Sequence, residues 1–194
     1  MSELTFETDE KLAIHRAACE MVSASAAGEP IQVTDPTMAR AASKEVSGAF
    51  VTLKRDGKLR SCYGCYGGKS ALFQALQSAS IGTATKDPRF SVVQPAELEQ
   101  LHLEVSILFD IQRVKSVAHD RAREIEIGTH GLTIQHRGKS GLLLPRVAID
   151  LKLNAEGFLR QTSLKAGLPE TSWMDDESIL QRFQVCCFGA MFAK

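Results

Sequence analysis

The dipeptide Asp56-Gly57 stands between two runs that favour extended chain, Ala49 to Lys54 and Lys58 to Tyr63. Asp-Gly in that setting is a strong hairpin signal, because the tightest strand-joining turns need positive φ at both central residues. A hairpin commits its two strands to antiparallel pairing and needs no crossover helix. A fold made of regular strand–helix–strand units is therefore disfavoured from this point onward.

The rest of the chain fits that constraint. A helix is expected from Asp9 to Ala27, capped by Thr8 and stopped by Gly28 and Pro30, with Leu12, Cys19 and Val22 on its buried stripe. A short helix is expected over 36–43, with Asp35 as cap and Pro36 in its first turn. Gly64 to Lys69 reads as a loop leading into a helix from Ser70 to Thr85, which Asp87-Pro88 ends. Leu101 to Phe109 is the clearest strand, with Leu103, Val105 and Ile107 on one face and His102, Glu104 and Ser106 on the other. Residues 110 to 123 read as a flexible polar stretch. Strands are expected at Glu124–Ile127, Leu132–Gln135, Gly141–Leu144 and Ser178–Phe188, and a helix from the Asn154 cap through Lys165, with Gly167 as its stop. These elements predict an α+β fold: an antiparallel or mixed sheet flanked by helices, in one domain over residues 1–194.

Charge narrows the partners. The 23 basic and 23 acidic residues cancel, and 6% aromatics carry no basic stripe, so nucleic-acid binding is not expected. Met1 to Lys11 is polar and acidic, unlike a secretory leader, and no apolar run approaches the ~20 residues of a membrane span. Five cysteines, odd in number and irregularly spaced, do not suit a disulfide framework, so a cytoplasmic location is expected. No cofactor fingerprint is present: Gly64, Gly67 and Gly68 fit neither the Walker nor the dinucleotide spacing.

The chemistry concentrates at Leu59-Arg60-Ser61-Cys62-Tyr63-Gly64. Alternation puts Arg60 on the strand face of Cys62, and a helix starts soon after. Both would lower a thiol pKa and make Cys62 a nucleophile or ligand-contacting thiol. The plainer alternative is a cysteine packed at a strand end. Cys62 and Cys65 have Cys-x-x-Cys spacing, but Cys186 and Cys187 point to opposite faces of their strand, so no metal is expected. His130, in the Gly128-Thr129-His130-Gly131 turn, is a candidate base or a backbone-bonded turn histidine. Lys165 suits a helix C-terminus or a ligand anion, and Arg89 suits Asp87 or an anion.

These segments carry a family resemblance. Gly48-Ala49-Phe50-Val51-Thr52 followed by Leu59 to Gly64 resembles the AMMECR-type hallmark, a strand and then Leu-Arg-Gly-Cys-Ile-Gly. Asp87-Pro88-Arg89-Phe90, Leu103 to Leu108, Ile127 to Leu132, Leu142 to Ala148 and Lys165 to Pro169 follow in the family's order, over about residues 31–185. The chain departs from the pattern at Ser61, Tyr63, Cys65 and Ser163. The resemblance implies an α+β fold of two lobes, one larger and one smaller. It implies a site at the hallmark, with Cys62 at its centre and Arg60, Ser61 and Gly64 beside it as ligand-binding residues, and it favours Lys165 as a further one; Arg89 as a ligand-binding residue and His130 as a catalytic candidate rest on their own positions and chemistry. It also implies an AmmeMemoRadiSam-type setting: an accessory protein that binds a ligand or partner and acts with Memo-like and radical SAM proteins. The alternative is an enzyme that uses Cys62 as nucleophile on a small anionic or carbonyl substrate.

Overall fold

The computed structural model describes residues 4–193. The chain divides into two compact units, one of residues up to Leu108 plus those from Cys186 on, the other Phe109–Val185. Helices and antiparallel strand pairs make the fold α+β, as the hairpin predicted.

In the first unit, β1 (Glu45–Arg55) pairs antiparallel with β2 (Lys58–Ala71) and with β3 (His102–Arg113), which enters this unit at its N-terminal end. Asp56 and Gly57 take φ of 50° and 75°, the turn that the sequence called for. One face of these strands carries Val51, Leu53, Leu103, Val105 and Ile107, all fully buried. Against that face pack α1 (Thr8–Ala27) and α3 (Leu72–Thr85), with α2 (Pro36–Ala42) beside them. Asp35 caps α2 by accepting the Thr37 N–H at 2.8 Å, and Gly28 ends α1 in the left-handed conformation, both as expected. Leu12 is exposed, however, while Ala13, Ile14 and Ala17 join Cys19 and Val22 in the core. The alanines and β-branched residues set the buried stripe about one position away from Leu12.

The expected loop from Gly64 to Lys69 is instead strand: β2 continues to Ala71 and α3 begins at Leu72. The reason lies across the sheet. A Cβ at Gly64 would run into the Phe50 ring and the Ala49 carbonyl, so this glycine admits an aromatic neighbour rather than a turn. Gly82 has the matching role on α3, where a Cβ would strike the Tyr63 ring. The helix therefore sits closely on β2.

In the second unit, β4 (Gly131–His136) pairs antiparallel with β5 (Lys139–Leu143) and with β6 (Ile179–Met191), whose C-terminal part lies in the first unit. α5 (Ala155–Lys165), capped by Asn154, buries Phe158 and Leu159 with Trp173, Ile134 and Leu132. Pro145 ends β5 and opens a short helix, α4 (Pro145–Asp150), which the sequence did not announce. Glu124–Ile127 is not a strand: a 3-10 segment fills Ala118–Glu124 and a turn follows. The polar stretch 110–123 is likewise structured, because Arg121 anchors it. That side chain is 4% exposed, and its guanidinium donates to the carbonyls of Ser116, Trp173 and Asp175 and to the Ser178 hydroxyl, at 3.0, 2.6, 3.1 and 2.6 Å.

Candidate functional site around Cys62

Cys62 lies mid-strand in β2, paired with Thr52 of β1, which in turn pairs with Glu104 of β3. Its side chain is on the face opposite α3. The Thr52 hydroxyl donates to the sulfur at 3.2 Å. Further along that face Lys54 pairs with Glu104 at 3.0 Å, and the Ser106 hydroxyl donates to Cys187 Sγ at 3.4 Å.

The Asp-Pro-Arg-Phe turn holds the backbone of Cys62. Asp87 Oδ2 accepts the Cys62 N–H at 2.8 Å, and Arg89 donates to the Cys62 carbonyl at 3.3 Å. Arg89 also grips Asp87 with its Nε at 2.9 Å and Nη2 at 2.8 Å. That pairing holds the Asp87 carboxyl far below the ordinary range, against the cost of burial. Of the two roles open to Arg89, the local pair with Asp87 is formed.

Electrostatics overturn the expectation of an ionised thiol. Burial pushes the Cys62 thiol up, the Thr52 hydroxyl and Arg89 only partly oppose it, and Asp87 and Glu104 add to the rise. Neither expected cause of a low pKa operates. Arg60 sits where the register between β1 and β2 shifts, so alternation does not carry over from Cys62, and it forms a two-pronged pair with Glu97 at 2.9 and 2.7 Å and donates to the Ser91 carbonyl at 3.1 Å. Glu97 also takes Arg55 at 2.6 Å. The helix start, at Leu72, lies ten residues along the strand, beyond the reach of a terminal dipole. Iodoacetamide should therefore alkylate exposed Cys65 before Cys62 at neutral pH. Peptide mapping over a time course reads the order, and faster labelling of Cys62 would restore the ionised thiol.

Ser61 and Tyr63 face the other way, toward α3. The Ser61 hydroxyl, buried, donates to the Thr83 carbonyl at 2.6 Å. The Thr83 hydroxyl donates to the Val51 carbonyl at 2.8 Å and accepts the Tyr63 N–H at 3.1 Å, bridging β1 and β2 beside Cys62. Thr83 and Glu97 are site-building residues that the sequence did not reveal, since no local pattern marks a helix hydroxyl or a 3-10 carboxylate that bonds to a distant strand.

His130 and Lys165 belong to the second unit. His130 Nδ1 accepts the Glu126 N–H at 3.0 Å, the turn-histidine arrangement. Burial, and then Arg182, lower its pKa. Lys165 ends α5 and is exposed, a cation at a helix C-terminus. Among the described residues, no group of three or more His, Cys, Asp or Glu side chains is placed to hold a metal, and no helix is long and apolar enough to cross a membrane.

The two-unit α+β fold is shared with proteins of known sequence and structure. The AMMECR1 family model matches residues 15–188, and the chain belongs to that family. A protein of Methanothermobacter thermautotrophicus is 42% identical over 143 residues, 73% of this chain and 74% of that one. One of Thermococcus onnurineus is 36% identical over 184 residues, 92% of this chain and 87% of that one. The crystal structure of uncharacterized protein PH0010 from Pyrococcus horikoshii superposes with a TM-score of 0.83 at 30% identity, covering 96% of this chain and 94% of that one.

Proposed function

We propose that this AMMECR1-family chain is a ligand- or partner-binding accessory protein, acting in the cytoplasm with Memo-like and radical SAM proteins through a surface centred on Cys62. The observation that carries the reading is the state of that thiol. Its sulfur accepts from Thr52, burial raises its pKa, and the guanidinium groups of Arg60 and Arg89 are tied to carboxylates. A protonated thiol in a fixed polar frame suits recognition better than attack. The family partners come from the resemblance of the motifs, and the fold supports membership only.

One observation favours the second reading, an enzyme with Cys62 as nucleophile on a small anionic or carbonyl substrate. The Arg89 guanidinium lies close enough to lower the thiol pKa, so a ligand that breaks the Asp87 pair would free a cation beside the sulfur. Co-expression with the Memo-like and radical SAM proteins of the same organism, followed by co-purification and calorimetry, separates the two. Under the binding reading Cys62→Ser retains association within about twofold, and Cys62→Trp weakens it by about tenfold or more. Absence of association with either protein overturns the binding reading. A turnover that Cys62→Ser abolishes establishes the enzymatic one.

A further inference from the structure

The first unit contains a hollow of about 680 Å³ that shares no residue with the Cys62 strand. One wall is the C-terminal half of α1, from Cys19 to Ala24. The extended chain from Glu29 to Gln32 forms a second wall, and the 3-10 segment Pro95–Gln100 a third. Phe192 and Ala193 close it from below, held by the Phe192 N–H donating to the Leu101 carbonyl at 2.8 Å. The size is that of a small-molecule site, and the mixture of apolar walls with a few polar groups is the usual composition of one.

The charge in this hollow has one sign. Its ionisable lining consists of Glu20, Glu29, Glu99 and Cys19, with no lysine, arginine or histidine among the described residues. Burial pushes the Cys19 thiol up to about 11, so it is a neutral part of the wall. Glu20 accepts from Thr34, through the N–H at 3.3 Å and the hydroxyl at 3.4 Å, neither of them a cation. The C-terminal end of α1 brings no cation to this wall: its last turn holds no basic residue, and the backbone N–H groups of Gly28 and Glu29 cap the Ser25 and Ala24 carbonyls at 3.4 and 2.8 Å. Leu98, Pro30, Pro95 and Phe192 supply apolar surface for a ligand body.

We propose that this hollow is a binding site for a small amphipathic cation, with the apolar body against Leu98 and Phe192 and a protonated amine beside Glu20 and Glu29. A carboxylate of the same shape would meet the like charge of Glu20 and Glu29, which gives selection between isosteres of opposite sign.

Tryptamine and indole-3-propionate form a suitable probe pair, with the same ring and opposite charge. Calorimetry and thermal shift on the full chain should show tryptamine binding at least about tenfold tighter than indole-3-propionate and raising the melting temperature. Ala24→Trp, which fills the hollow from α1, should abolish tryptamine binding. Replacing Glu20 and Glu29 by Gln should erase the preference without unfolding the chain, and this test stands if the tryptophan variant does not fold. Equal affinity for the two probes, no tryptamine binding, or binding that survives both sets of substitutions would overturn the proposal.

Discussion

Replacing Arg121 by Leu should destabilise the chain by about 4 kcal/mol, the largest effect expected of any single substitution considered. The side chain is buried, and its hydrogen bonds go to three carbonyls and one hydroxyl rather than to a carboxylate. Leucine would remove all four bonds and leave the Trp173, Asp175 and Ser116 carbonyls without this donor. An unsatisfied buried acceptor costs about 1–3 kcal/mol. Lysine keeps the charge but not the planar fork that reaches several acceptors at once, so Arg121→Lys should recover less than half of the loss. Urea denaturation measures both variants. Hydrogen exchange should accelerate over 116–122 and 172–178, the two segments that the guanidinium ties together. A loss below about 1 kcal/mol would show that water replaces those bonds without cost.

Asp87→Ala should cost about 3 kcal/mol in the first unit and loosen the Cys62 strand. The Asp87 carboxylate accepts the Cys62 N–H, the Arg89 N–H and two guanidinium N–H groups. Alanine would leave Arg89 without its carboxylate and the Cys62 amide without its acceptor, and exchange of that amide should accelerate. The pH dependence has a definite sign. The folded-state pKa of Asp87 lies below its unfolded value, so its contribution is complete above the ordinary aspartate pKa near 3.9 and is lost as pH falls from there toward the folded value. The gap between wild type and Asp87→Ala should therefore be constant from pH 7 to about 5 and shrink below about 4. A gap that instead closes between pH 7 and 5 would contradict this assignment.

Much of this architecture could be read from local patterns. The Asp56-Gly57 turn, the alternation of Leu103, Val105 and Ile107, the Asp35 and Asn154 caps and the Gly28 stop each act over a few residues, and each is present. The misreadings share a physical cause. Gly64 resembled turn chemistry because its partner, Phe50, lies on another strand. Residues 110–123 looked flexible because the acceptors that bury Arg121 lie more than fifty residues downstream, apart from Ser116. Cys62 looked activated because its face alternation with Arg60 was visible, whereas Glu97, which occupies that arginine, was not. Sequence spacing assigns side chains to strand faces, but it does not show which charges are already paired.

The two faces of β2 also divide its labour. Ser61 and Tyr63, which flank Cys62, both point into the joint with α3, at the Thr83 carbonyl and at Gly82. Cys62 occupies the reverse side of the same ribbon, beside Thr52. A smaller residue at 63 would make room for a methyl group at 82, and a glycine at 61 would release the Thr83 carbonyl to another donor. Substitutions at these helix-facing positions can thus be absorbed by paired changes in α3, leaving the Cys62 face of the strand undisturbed.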